Sequence, residues 1–347
     1  METSKLAGNA KDRNTMRFTV ARQKVEGFEV IELTDTESGA SARVAPELGF
    51  NIFSLRLNIA GNLTPVLLEP PSLAELKANP SRYGNPILFP FPNRIRDGKF
   101  TWKGKPYSTP VNASGHAIHG YALRSAWRVI AEQGGDDHAR VEARWQLSVD
   151  APEHREHWPA DAALNVSCKL GVGGLTIEAV VSNPDTVDLP WGLGYHTYFR
   201  MPLTAETDTA KSRIFIPATR RWELEGFLPT GRKVPLPAEL DFRQGLPLGG
   251  LKADDVLTGL EHGSDGSTEC RLVDESIGQE AFLAASPEFT ELVVFTPSWN
   301  PNAIALEPYT QTTDAINLAA RGIEGGLKTL PPGASARTLI HIGKRKA

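Results

Sequence analysis

The chain has 347 residues, 40% apolar and 22% charged, with 41 acidic side chains against 37 Lys and Arg. That composition suffices for a large buried core and excludes a wholly disordered or collagen-like chain. A formal net charge of −4 leaves no basic footprint for nucleic acid, so a neutral polar ligand fits better than a polyanion.

Residues 1–15 read as a polar, disordered leader, with Met16 an alternative start. No apolar stretch of signal-peptide length precedes the first strand, and no run approaches a membrane span. Cys168 and Cys270 are too few for a disulfide framework and form no CxxC pair. A cytoplasmic, reducing location is therefore expected. Residues 16–347 then read as one β domain. Period-two alternation predicts strands over 28–35, 41–46, 51–61, 127–133 and 139–150. A Gly-rich turn splits 164–183 into a hairpin, and 291–297, 302–310 and 336–344 supply three closing strands. Only "PSLAELKANP" (71–80) has helical spacing. Many short strands punctuated by 31 glycines and 26 prolines predict an all-β fold, a large antiparallel β-sandwich with a concave ligand face.

The chemistry-bearing segments follow in the same order. In "GNPILFPFPNRIRDGKFTWKGKPY" (84–107), Pro86, Pro90 and Pro92 stiffen the approach to Asn93 and Arg94. Arg94 offers planar donors able to bridge two neighbouring hydroxyls, or else serves a loop salt bridge. The rest of this segment predicts a hairpin turning at Gly104. "HAIHG" (116–120) sets His119 against Gly120, where a ligand can approach the backbone, although spacing alone leaves His116 in play. "HREH" (154–157) reads as a solvated surface loop; neither HxxH pair has a third ligand of zinc type, so no metal is expected. "GLGYHTYFR" (192–200) drops His196 into an aromatic strand, either as a packed core histidine or as a proton donor. "NAIALEPYTQTTDAINL" (302–318) places Glu307 among apolar neighbours, where burial raises a carboxyl pKa toward that of a general base unless an arginine pairs with it.

Taken together, "PFPNRIRDGKFTWKGKPY", "HAIHG", "LPWGLGYHTYF" and "ALEPYTQTTDAIN" resemble the aldose 1-epimerase (galactose mutarotase) family, in family order and across about 17–344. The resemblance implies a very large antiparallel sandwich with a shallow sugar groove. By motif it implies Glu307 as general base, His196 as general acid, His119 as the first active-site histidine, and Asn93 and Arg94 as sugar contacts. A substrate-binding aspartate falls in "ADDVLTGL", at Asp254 or, in the neighbouring register, Asp255. Two departures, Tyr121 after "HG" and Thr197 in "HTYF", leave the preferred sugar open, as the oligomeric state is open.

The implied reaction explains the pair. Anomer exchange opens a cyclic hemiacetal, so one group removes the C1 hydroxyl proton while another protonates the ring oxygen. No metal, nucleotide or flavin is required. The rate is expected to be bell-shaped in pH, with an acidic limb from Glu307 and a basic limb from His196. Competing readings are a hexose-6-phosphate 1-epimerase, recruiting Arg96, Arg124 or Arg200 to a phosphate, and a non-catalytic carbohydrate-binding protein on the same scaffold. A glycosidase or lyase would need two cooperating carboxylates.

Overall fold

A computed structural model describes residues 16–204 and 207–347, so the leader read over 1–15 lies outside the described residues. Three antiparallel sheets carry the fold. Five strands (Phe18–Val25, Phe28–Asp35, Ser41–Ala45, Asn51–Ile59, Asn62–Pro65) pair in chain order. A nine-stranded sheet runs from Arg128–Gln133 through His138–Gln146, Ala163–Gly171, Gly174–Ser182 and the C-terminal Ser335–Lys346 to Leu246–Pro247. An eight-stranded sheet contains Leu228–Pro235, Ala218–Glu225, Asp254–Leu260, Glu291–Phe295 and Ala303–Tyr309. Its far edge is made of Gly194–Tyr195, Thr197–Arg200 and Ile87–Leu88. Val66 links the five- and eight-stranded sheets, donating to Leu55 C=O and accepting from Arg200 N–H. The main core draws inward residues from all three, among them Leu33, Val44, Val141, Trp145, Ile177, Phe199 and Leu306.

Alternation explains why these segments are strands. His138–Gln146 alternates partly exposed and buried positions along its whole length, burying Ala139, Val141, Ala143 and Trp145. The predicted hairpins form over Ala163–Ser182 and Lys99–Ser108, and Leu73–Ala78 is helical with Ser72 capping Glu75 N–H.

Three expectations need correction. The strand predicted to Asp150 ends at Gln146. Residues Leu147–Asp150 form a helical turn because Asp150 accepts from Gln146 N–H (2.7 Å) and Asp161 from Ser148 N–H (2.9 Å). "HREH" is a short 3₁₀ helix rather than a plain surface loop: His154 stacks on Tyr121 at 4.4 Å, and His157 Nδ1 lies 2.6 Å from Ser108 C=O. A further helix, Ala315–Ala320, follows the Glu307 strand. No helix among the described residues is long and apolar enough to cross a membrane.

Candidate active site

All seven residues of Ala303–Tyr309 are buried. Ile304 and Leu306 enter the main core, whereas Ala303, Ala305, Glu307 and Tyr309 project from the opposite face. On that face Ala303 and Ala305 join a cluster with Tyr83 and Tyr198, and Tyr309 joins another with Leu88, Trp222 and Val293. Glu307 sits at the seam between the two clusters, 2% exposed. Burial pushes its carboxyl well above the usual carboxylate range.

Among the described residues, Glu307 has no arginine within ion-pairing distance. Its Oε1 lies 3.4 Å from His196 Nε2, and its Oε2 accepts a short hydrogen bond from the Tyr309 hydroxyl. One carboxylate oxygen is thus held and the other faces the imidazole. Gly194 makes this arrangement possible: a Cβ there would lie 2.5 Å from the Tyr309 ring and 2.7 Å from Pro92. His196 stacks on Tyr198 at 4.6 Å and meets the edge of Phe295 at 6.4 Å. That aromatic wall desolvates the imidazole and drives its pKa down to about 3.

Two loops complete the cleft. His119 and Asn93 both adopt left-handed backbone, at φ 66° and 53°, and are tied by the His119 N–H to Asn93 C=O bond of 2.9 Å. Such conformations cost free energy and gather at functional sites. Gly120 cannot carry a side chain, since a Cβ would sit 2.2 Å from Phe89 C=O. The turn brings the His119 ring within 5.4 Å of the His196 ring, at 73°. Burial and the nearby His196, Arg94 and Arg124 keep His119 neutral. His116 is taken up elsewhere, its Nδ1 accepting from Asp97 N–H. Arg94 donates to Asn93 Oδ1 (3.1 Å) and lies over the Phe227 ring at 4.9 Å. Its backbone is fixed by pairing with Ile118 and by the Asp314 N–H.

The adjacent aspartates separate by strand alternation. Asp254 shares the Glu307 face and is close enough to raise the Glu307 pKa; Asp255 points away and pairs with Arg221 at 2.7 Å. The cleft gathers Glu307, His196, His119, Asn93 and Arg94, with Asp254 on the strand beside Phe295. Three buried atoms, Nδ1 of His119, Nδ1 of His196 and Nε of Arg94, have no hydrogen-bond partner among the described residues. Buried polar atoms normally find one, so a hydroxyl-rich ligand matches this surface. Of the arginines considered for phosphate, Arg96 lies 3.8 Å from Asp314, Arg200 sits on the strand beside Ala303, and Arg124 is exposed near His119. No group of three or more His, Cys, Asp or Glu among the described residues could hold a metal ion.

The aldose 1-epimerase family model matches residues 29–342, almost the whole described chain. The chain belongs to the aldose 1-epimerase family. Curated relatives include the uncharacterized protein YphB of Escherichia coli, 30% identical over 46% of this chain and 50% of its own length. Rat galactose mutarotase is 25% identical over 49% and 48%. The chain thus spans about half the length of the curated relatives it matches. Among solved structures, a galactose mutarotase-like protein from Clostridium acetobutylicum superimposes with TM-score 0.87, 23% identity, and coverage of 95% and 99%. Galactose 1-epimerase from Lactobacillus acidophilus gives 0.73 at 14% identity, covering 96% and 100%. These likenesses establish the galactose mutarotase-like fold.

Against this family background, sequence reasoning overlooked Tyr309, Phe295 and Phe227. Tyr309 is two residues from Glu307, hence on the same face, a signal available from strand periodicity. Phe295 ends the strand paired with that of Glu307, and Phe227 lies at the turn of a separate hairpin; neither carried a local signal.

Proposed function

We propose that this protein is an aldose 1-epimerase acting on a free sugar, with Glu307 and His196 exchanging protons with C1–OH and the ring oxygen. The observation that carries the reading is a buried carboxyl whose nearest titratable base among the described residues is an imidazole at 3.4 Å rather than an arginine. An ion pair built for stability alone would fill that position with a hydrogen-bonded guanidinium.

The pair works with one shared proton. Facing the cyclic sugar, ionised Glu307 takes the C1 hydroxyl proton as the C1–O5 bond breaks, and protonated His196 delivers its proton to O5. The open aldehyde then faces neutral Glu307 and neutral His196. After rotation about C1–C2, His196 takes the O5–H proton, O5 attacks the other face of C1, and Glu307 returns its proton to the carbonyl oxygen. Every proton is restored. Burial favours the neutral pair, and the Tyr309 hydrogen bond and the Arg94 charge oppose this at Glu307 without reversing it, so the ionised pair that starts ring opening is the minor state. Arg94, Asn93 and Asp254 hold hydroxyls, and neutral His119 lies beside the reacting oxygens.

The coupling inverts the expected limbs of the pH profile. His196 gains a second proton for the pair only near pH 3, and Glu307 releases the last one only well above the ordinary carboxylate range. The acidic limb belongs to the imidazole and the basic limb to the carboxyl. Polarimetry of freshly dissolved α-glucose and α-galactose tests the reading: the protein accelerates the approach to equilibrium rotation. Sugar binding without acceleration would instead support a carbohydrate-binding protein.

A further inference from the structure

The hairpin over Ala218–Glu225 and Leu228–Pro235 turns in two residues, because Glu225 pairs with Leu228 and leaves Gly226 and Phe227 at the tip. Both tip residues have left-handed backbone, at φ 57° and 67°, as a type I′ turn requires. Three other hairpins close the same way, through Glu26-Gly27, Ala60-Gly61 and Lys103-Gly104, and each puts its glycine second. At this tip the order is reversed, and the second position carries a phenylalanine. A bulky side chain is disfavoured in that conformation, and strain of this kind gathers at functional sites. Burial offers little in return: Phe227 is 55% exposed, whereas Leu228 beside it is 3% exposed. Neither turn propensity nor core packing accounts for the residue.

Its contact does. The Phe227 ring lies over the Arg94 guanidinium, with Cζ 4.9 Å from the ring centroid. Arg94 is central to the cleft, since its charge acts to lower the pKa of Glu307, of Asp254 and of His119. Its own hold is slight. Nη1 donates to Asn93 Oδ1 at 3.1 Å, and the buried Nε has no hydrogen-bond partner among the described residues. A guanidinium donates in its plane and is bare on its faces. An aromatic ring over one face attracts the cation and keeps water off it, leaving the in-plane N–H groups to meet hydroxyls. Without the ring, the long side chain regains rotamer freedom that ligand binding must then remove.

We propose that Phe227 is a positioning residue, which clamps the Arg94 guanidinium so that a fixed edge of donors faces the sugar. The strained turn is what carries the ring to that place. The proposal rests on the epimerase reading and adds to it a residue that acts through Arg94.

Polarimetry with α-glucose and α-galactose tests it in Phe227→Asn, Phe227→Tyr, Arg94→Gln and the double variant Phe227→Asn/Arg94→Gln. Asparagine suits left-handed backbone, so the urea midpoint of Phe227→Asn is expected at or above that of wild type. Its KM rises about fivefold with kcat within about twofold, because the lost interaction serves ground state and transition state alike. Phe227→Tyr keeps the aromatic face and stays within about twofold of wild type. In the Arg94→Gln background, Phe227→Asn lowers kcat/KM by less than about twofold further, because the group it positions is gone. Equal losses in both backgrounds, or a Phe227→Asn protein as active as wild type, would overturn the clamp and leave the epimerase reading standing. So would a lowered urea midpoint in Phe227→Asn accompanying its loss of activity, which would make the residue structural. A wild type inert toward both sugars removes the epimerase reading and the clamp with it.

Discussion

The strands His138–Gln146 and Ala303–Tyr309 each lie between hydrogen-bonded neighbours, and each alternates two sets of side chains. On the first, the outward set carries Arg140, Glu142 and Arg144, partly exposed, with Arg140 and Glu142 paired at 3.4 Å. On the second, the outward set is Ala303, Ala305, Glu307 and Tyr309, all covered by aromatic clusters and loops. The same backbone thus presents one carboxylate to water and another to a desolvated cleft. What converts a surface glutamate into a candidate base is the cover over its face, supplied by segments distant in sequence. Screening makes the Arg140–Glu142 pair nearly dispensable, and desolvation makes the Glu307 setting chemically costly and therefore informative.

Substitutions can break this contrast. Glu307→Gln keeps the shape of the side chain and cannot accept a proton, so mutarotation falls about 10²–10⁴-fold with sugar binding nearly unchanged. Activity within a few-fold of wild type would place the base elsewhere. Tyr309→Phe removes the hydrogen bond that lowers the Glu307 pKa. The rate is expected to fall about 10–100-fold, and the basic limb of its pH profile moves to higher pH, a shift that mere loosening of the fold would not give. His119→Asn should cost less than either, about tenfold, because the ring lies beside the proton-carrying pair without belonging to it; a loss as large as that of Glu307→Gln would exchange the roles of His119 and His196.

The smallest expected effect sharpens the contrast through stability alone. Glu291 lies on the same covered face, accepts from Trp222 Nε1 at 3.0 Å, and burial raises its pKa to about 7. A carboxyl with a raised folded-state pKa stabilises the fold fully below its unfolded pKa and loses that contribution as pH rises through its folded value. Stability is therefore expected to decline from the ordinary carboxylate range up to about pH 7. Glu291→Gln flattens that decline and stabilises the protein at pH 8 by about 1 kcal/mol or more, with mutarotation within about twofold of wild type. Chemical denaturation at pH 4.5 and pH 8 distinguishes the two proteins, and an unchanged pH slope would show that Glu291 is solvated.

Much of this arrangement was legible because strands announce themselves by period two. The hairpins at 163–182 and 99–108 and the closing strands follow from alternation and turn residues alone. Glu307 and His196 stood out as polar groups in apolar or aromatic runs. The separation of Asp254 from Asp255 was not legible, because neither the strand register nor the position of Arg221 is a local property. The left-handed turns at Asn93 and His119 were equally hidden: only the glycine after His119 hinted at one, and the bond joining the loops spans distant segments. "HREH" misled because its polar composition concealed the stacking of His154 on Tyr121.

The central claim is that Glu307 and His196 share one proton in a desolvated cleft. The pH dependence of kcat/KM for mutarotation tests it most directly, because it reports the essential groups of the free protein. The account predicts a broad plateau through neutrality, with an acidic limb near pH 3 assigned to His196 and a basic limb well above the ordinary carboxylate range assigned to Glu307. His196→Asn removes the acidic limb together with most of the rate. A narrow bell, falling on the acid side at an ordinary carboxylate pKa and on the basic side at an ordinary imidazole pKa, would contradict the shared-proton pair.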